Sequence, residues 1–173
     1  MTRGGEIQHL WAPWRQAYIA SHGERPRGCI FCIAKRARDD RQPQVLYRGR
    51  TVFVLLNRYP YTPGHLMVAP YRHIRRLSQL TAAEAAEALL TMGRMESVLV
   101  RTFHSDAFNA GANVGRPAGA GVPGHLHFHL VPRWSGDTNF MSVVSRTRVM
   151  SDSLDAVYSR LKPLMPANHR ARS

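Results

Sequence analysis

At 173 residues, 44% of them hydrophobic, the chain can bury one core but is short for two, so a single soluble domain spanning 1–173 is expected. The formal charge of +13 suits a polyanionic partner, either nucleic acid or a polyphosphate, although an arginine bias can also come from genomic base composition: Lys35 and Lys162 are the only lysines. No segment approaches the ~20 apolar residues of a membrane span and no export signal is visible, which excludes a membrane partner and points to the cytoplasm.

Residues 1–43 form a basic amino-terminal segment rich in Arg, Gly and Pro around the only two cysteines, Cys29 and Cys32, with Lys35 to Pro43 read as an exposed, solvated loop. Strands are expected at Val45–Tyr47 and Thr51–Leu56, joined as a hairpin by the turn-like Arg48-Gly49-Arg50, and at His65–Ala69. Thr81 and Glu84 make a capping-box pattern ahead of a helix running to about Thr102, whose Leu89, Met92, Met95 and Leu99 recur at the spacing of one core face. Two more strands are expected at Phe108–Asn113 and His125–Val131, then a second helix from about Asp152 to Leu164 within an extension covering 136–173. Connections around the hairpin are too short for parallel crossovers. The expected class is therefore α+β, an antiparallel sheet of about five strands with helices mainly on one face.

The chemistry concentrates in His125-Leu-His-Phe-His129. Side chains alternate along a strand, so His125, His127 and His129 share one face, about 7 Å apart, while Leu126, Phe128 and Leu130 take the other. Three imidazoles on a rigid face can bind a metal, or present a nucleophile flanked by phosphate-binding and proton-moving neighbours. The competing reading is three polar residues on a solvated face. A glycine-rich loop from Asn113 to Gly124 comes immediately before, and its backbone N–H groups suit phosphate.

The run His125-Leu-His-Phe-His-Leu-Val131 resembles the signature of the histidine triad superfamily, in which histidines alternate with apolar residues. The resemblance extends to Leu55-Leu-Asn-Arg-Tyr-Pro-Tyr-Thr-Pro-Gly-His65 and to the Asn113 loop, covering roughly residues 29 to 135. It implies a homodimer with a nucleotide lying over the histidines. It also implies that His127 attacks the α-phosphorus to form a nucleotidyl-imidazole, with His129 and Asn113 on the phosphate oxygens. Asn57 matches the ribose-binding position, although Asn is also a common turn residue, and Arg133 is placed to neutralise the outgoing polyphosphate. Where many members carry a hydroxyl or amide, Gly121-Val-Pro-Gly124 supplies none, so backbone donors such as that of Gly121 have to serve.

Cys29-Ile-Phe-Cys32 alone is a weak metal signal. Some triad proteins share this pattern, completed by a histidine like that of Val68-Ala-Pro-Tyr-Arg-His73 and by the first triad histidine. The resemblance therefore implies a structural zinc site of Cys29, Cys32, His73 and His125, and no organic cofactor. A thioredoxin-like pair would need a helix start after a strand, and Arg25-Pro-Arg-Gly28 is not strand-like. An unliganded pair of buried thiols is the remaining alternative.

His9-Leu-Trp-Ala-Pro-Trp-Arg15 and Pro132-Arg-Trp-Ser-Gly-Asp-Thr-Asn-Phe140 look like the longer bacterial branch of the superfamily, which includes diadenosine tetraphosphate phosphorylases. The implied substrates are a dinucleoside polyphosphate and inorganic phosphate, with no requirement for nucleic acid. Trp11, Trp14 and Trp134 are read as core or interface aromatics, with stacking on adenine the alternative for Trp134. Hydrolysis of the same compounds or of nucleoside phosphoramidates is the near rival. A zinc-stabilised basic nucleic-acid-binding module is the rival of a different class, and its binding would weaken with salt.

Overall fold

The computed structural model describes residues 28–137 and 152–169. The expectations for Trp11, Trp14 and the His9–Arg15 segment, and for residues 138–151, lie outside the described residues.

Five strands form one antiparallel sheet: β1 (Val45–Arg48), β2 (Val52–Leu56), β3 (Leu66–Pro70), β4 (Ala107–Gly111) and β5 (Phe128–Arg133), in the spatial order β1-β2-β3-β5-β4. β1 and β2 make the expected hairpin. Its turn is held by the Glu87 carboxylate, which accepts from the Arg50 and Thr51 backbone N–H groups at 2.8 and 2.7 Å. In β2 and β3 every residue is buried, so Val-Phe-Val-Leu-Leu and Leu-Met-Val-Ala-Pro read as continuous apolar runs, as expected where both faces are covered.

One face carries Val52, Val54, Leu56, Leu66, Val68 and Leu130, packed against the main helix α2 (Ala82–Phe103) and the carboxy-terminal helix α3 (Leu154–Leu161). The Thr81 hydroxyl accepts from the Glu84 N–H while the Glu84 carboxylate accepts from the Thr81 N–H, the capping box read from sequence. Met92, Met95 and Leu99 are buried as expected, but Leu89 is 64% exposed. It lies six residues before Met95, about 120° around the helix, and Ala88 occupies the core position instead.

The opposite face is also core. Val45, Phe53, Leu55, Met67 and Ala69 pack there against Phe31 and Ala34 of α1 (Ile30–Arg36), a helix that the sequence reading missed. The segment from Lys35 to Pro43 is correspondingly not a wholly solvated loop. Lys35 and Arg36 end α1, and Asp40 is 2% exposed, paired at 2.9 Å with the equally buried Arg48 and at 3.1 Å with Lys162. Arg48 also donates to the Ala34 and Lys35 carbonyls at 3.0 and 3.1 Å, satisfying acceptors at the end of α1. A buried guanidinium needs its counter-charge, which is why Asp40 turns inward.

The two sheet edges differ. At β1 the Lys162 ammonium donates to the Val45 and Leu46 carbonyls, and Asn168 and His169 bond to the Arg48 backbone. At β4, Ala107, Asn109, Ala110 and Gly111 are exposed.

Candidate functional site

The regular strand β5 begins at Phe128, three residues after the expected start, because the chain first turns with the His125 N–H bonded to the Val122 carbonyl. The Leu126 N–H then bonds to Ile74, which aligns the run beside β3 before the ladder opens. The three histidines nevertheless share one side. The His127 and His129 rings are 4.9 Å apart, and Phe31 lies 5.0 Å from His125 and 4.7 Å from His127. With His125 1% and His127 4% exposed, the reading of a solvated polar face is overturned: this face is roofed by α1.

Hydrogen bonds fix the ring tautomers. His127 Nδ1 is 2.8 Å from the His125 carbonyl, an acceptor only, so Nδ1 carries the proton and the Nε2 lone pair is left available. His65 Nδ1 accepts from the Tyr61 N–H at 3.1 Å. Its proton therefore sits on Nε2, which donates to His129 Nδ1 at 2.9 Å, and neutral His129 presents an N–H at its own Nε2. Burial pushes His65 down to about 3, with the neighbouring charges of His129 and His127 adding to the effect. Burial similarly lowers His129 to about 4, and lowers His127 against the bond to the His125 carbonyl. The arrangement therefore juxtaposes a neutral imidazole lone pair and an N–H donor, as nucleophilic attack on a phosphoryl centre requires.

Asn57 follows β2 directly. Its Oδ1 accepts from the Tyr59 N–H at 2.9 Å, a turn contact, while its Nδ2 lies 3.3 Å from His65 Nδ1. Asn113 is two residues beyond the Gly111–His129 pair of the β4–β5 ladder, which brings the start of the glycine loop alongside the triad. Gly115 and Gly119 adopt φ of 91° and 86°, conformations open to glycine, and allow the loop to fold back through a bond from the Ala120 N–H to the Gly115 carbonyl. Gly121 is exposed, whereas Val122 packs on the Phe31 cluster. Arg133 is engaged: its guanidinium grips both oxygens of Asp137 and donates to Asn109 Oδ1 at 2.9 Å. The Trp134 indole donates to the Phe103 carbonyl at 2.9 Å, anchoring it to the end of α2.

Cys29, Cys32, His73 and His125 converge, each offering one ligand atom, all within 4.8 Å of one another. Cys29 Sγ is 3.3 Å from His125 Nδ1, Cys32 Sγ 3.3 Å from His73 Nδ1, and Cys32 Sγ 3.8 Å from His125 Nδ1. A tetrahedron drawn with ordinary Zn–S and Zn–N bonds has edges of about 3.5 Å, so the donor set fits a metal ion. His125 Nε2 donates to the Pro70 carbonyl at 2.9 Å, turning the Nδ1 lone pair toward the thiols, the usual outer support of a metal-binding imidazole. Cys29 caps the start of α1, one feature a redox pair would share, but burial pushes its thiol above the ordinary value, opposite to a reactive thiolate.

Three participants went unread in the sequence. His65 ends the Leu55–His65 segment and opens the expected third strand, Phe31 is the spacer between the cysteines, and Asp137 lies within a flanking stretch, none of them with a role of its own. Their signals were present, a histidine closing a Pro-Gly turn and an aromatic inside C-x-x-C, but their partners are distant in sequence.

A five-stranded antiparallel sheet with alternating histidines entering its inner strand is the architecture of a histidine triad protein. The HIT domain profile matches residues 38–136, more than half of the chain, and the chain belongs to the HIT domain family. An AP-4-A phosphorylase of Mycobacterium tuberculosis is 36% identical over 157 residues, covering 86% of this chain and 80% of the relative. An asymmetrical bis(5'-nucleosyl)-tetraphosphatase of Schizosaccharomyces pombe is 35% identical over 94 residues, covering 54% of this chain and 51% of the relative. The crystal structure of a zinc-bound histidine triad family protein from Mycobacterium smegmatis superposes with a TM-score of 0.61 at 26% identity, over 79% of this chain and 95% of that one. The resemblance read from the sequence is borne out. No helix among the described residues is long and apolar enough to cross a membrane.

Proposed function

We propose that this chain is a nucleotidyl transferase that cleaves dinucleoside polyphosphates, with inorganic phosphate as acceptor. The observation that carries the reading is the His127 imidazole, its Nδ1 proton held by the His125 carbonyl and its Nε2 free beside His129. The likeness to an AP-4-A phosphorylase over most of both chains supports the choice of substrate.

For diadenosine tetraphosphate, His127 Nε2 attacks an α-phosphorus in line. The new P–N bond forms as the bond to the bridging oxygen breaks, and ATP leaves. An oxygen of inorganic phosphate then attacks the adenylyl-imidazole, releasing ADP and restoring His127. His129 offers its Nε2 proton to the phosphate oxygens, together with Asn113 and the backbone of the loop around Gly121. Asn57 holds the ribose. Arg133 takes the outgoing polyphosphate in exchange for Asp137.

Cys29, Cys32, His73 and His125 would hold one zinc ion, whose contribution is to tie α1 to the approach to β5. Two copies of the chain pair through the exposed edge of β4, since the β1 edge is occupied by Lys162 and the carboxy-terminal residues. Light scattering measures this state directly. Cytoplasmic residence suits cysteines that pair with histidines rather than with each other.

The test is product analysis from diadenosine tetraphosphate with and without inorganic phosphate, beside His127→Ala. ADP and ATP formed only with phosphate are expected. AMP and ATP without phosphate would make it a hydrolase, and equal turnover by His127→Ala would remove the covalent mechanism.

A further inference from the structure

We propose that Phe31 is a positioning residue for His127: its ring, carried between the two cysteines, forms the wall that holds the imidazole's Nε2 on its line of attack. This rests on the reading of His127 as the nucleophile. Phe31 is fully buried, and it precedes the span matched by the HIT domain profile.

A single hydrogen bond from Nδ1 to the His125 carbonyl leaves the His127 ring free to swing about that bond. Two flat neighbours remove that freedom. The Phe31 ring lies 4.7 Å away and only 33° from parallel, covering one face, while His129 approaches edge-on at 4.9 Å and 72°. Phe31 is itself fixed from several directions. It meets Phe53 edge-to-face at 6.5 Å and His125 at 5.0 Å. Its helix is held at one end by the approach of Cys29 and Cys32 to the two histidines, and at the other by Arg48 on the Ala34 and Lys35 carbonyls.

An ordinary core aromatic would contribute stability and nothing more. Phe31 differs in that its flat contact falls on the ring whose orientation sets the reaction geometry, where a displacement of about 1 Å costs on the order of 100-fold in rate. Leucine or methionine at this position keeps apolar bulk and loses the flat wall. Tyrosine keeps the wall.

The experiment uses the full-length, zinc-loaded chain with diadenosine tetraphosphate and inorganic phosphate, comparing Phe31→Leu, Phe31→Met and Phe31→Tyr with the parent. Zinc content, thermal midpoint and the imidazole Nδ1–H resonance of His127 are measured for each. The expected result for Leu and Met is a kcat lowered about 10- to 100-fold with KM nearly unchanged, zinc retained, and rapid solvent exchange of the His127 Nδ1–H. Phe31→Tyr is expected to restore most of the rate and the slowly exchanging proton. The proposal is overturned if a folded, zinc-containing Leu or Met variant keeps kcat and a protected Nδ1–H. If the parent forms no nucleotidyl-His127, the transferase reading fails, and the exchange of the Nδ1–H still decides whether Phe31 orients the ring.

Discussion

His65 Nε2 lies 2.9 Å from His129 Nδ1, and because the Tyr61 N–H occupies the other His65 nitrogen, the proton between the two rings belongs to His65. A fully buried residue thus selects which nitrogen of the third triad histidine carries its proton. Replacing His65 with Phe keeps shape and burial but leaves His129 Nδ1 without a donor. The expected outcome is a kcat lowered on the order of 10-fold, with a smaller change in KM, because the lost contribution is proton placement rather than substrate binding. Unchanged steady-state kinetics for His65→Phe would remove His65 from the machinery.

The same burial sets a pH dependence. Unfolded histidine takes its proton near 6.5, whereas folded His65 resists until about 3, first because burial disfavours the charged ring and then because of His129 and His127. Between those values the unfolded chain binds more protons, so stability is full above about 6.5 and falls as pH drops toward about 3. Urea titrations are expected to show a midpoint that declines from pH 7 to pH 5. The His65 and His129 ring resonances are expected to stay unprotonated over that interval, and a His65 titration near 6.5 would contradict the buried, neutral assignment.

Zinc analysis is expected to find one ion per chain, lost in Cys32→Ala and in His73→Ala. Because these ligands tie α1 to the His125 segment rather than organise the whole sheet, chelation should loosen the fold and not abolish it. A fall in Tm on the order of 5–10 °C is expected, corresponding to roughly 2–3 kcal/mol. Retention of zinc by both variants would place the metal elsewhere.

Asp40, Arg48 and Lys162 carry a separate test of how α1 is held. Burial alone would raise the Asp40 carboxyl, but hydrogen bonds from Lys162 and Arg48 outweigh it and hold the group below its usual range. Its stabilisation is accordingly present above the unfolded carboxyl value and is lost as pH falls through the lower folded one. Asp40→Ala strands a guanidinium that is almost fully buried, and should cost about 3–5 kcal/mol by denaturant unfolding. A cost near zero would mean that Arg48 relaxes to solvent.

These contacts also explain what the sequence revealed and what it hid. Thr81 and Glu84 announced α2 because a capping box is local, and alternation placed the three histidines on one side even though β5 starts later than expected. Helix α1 has seven residues, too few to stand alone, and is held by Arg48 and by convergence on His73 and His125, partners far along the chain. Asp40 looked solvated for the same reason. Leu89 fitted an apolar spacing, but the core selected Ala88, a choice made by where α2 meets the sheet.

Arg133 gives the last prediction. Its fork is closed on Asp137 and its remaining amino group bonds to Asn109, so a polyphosphate reaching this end of β5 must compete with a carboxylate already in place. Arg133 is 38% exposed but Asp137 only 12%, so the competing ion pair is only partly screened and the exchange is driven by the greater charge of the polyphosphate. Asp137→Asn removes the competing charge while keeping a hydrogen-bond acceptor. It should lower KM for diadenosine tetraphosphate several-fold, more at low ionic strength, while Arg133→Ala raises it by on the order of 10-fold. If Arg133→Ala instead leaves KM unchanged and lowers only the thermal midpoint, the guanidinium serves to join the ends of β4 and β5, and the outgoing polyphosphate is neutralised by another group.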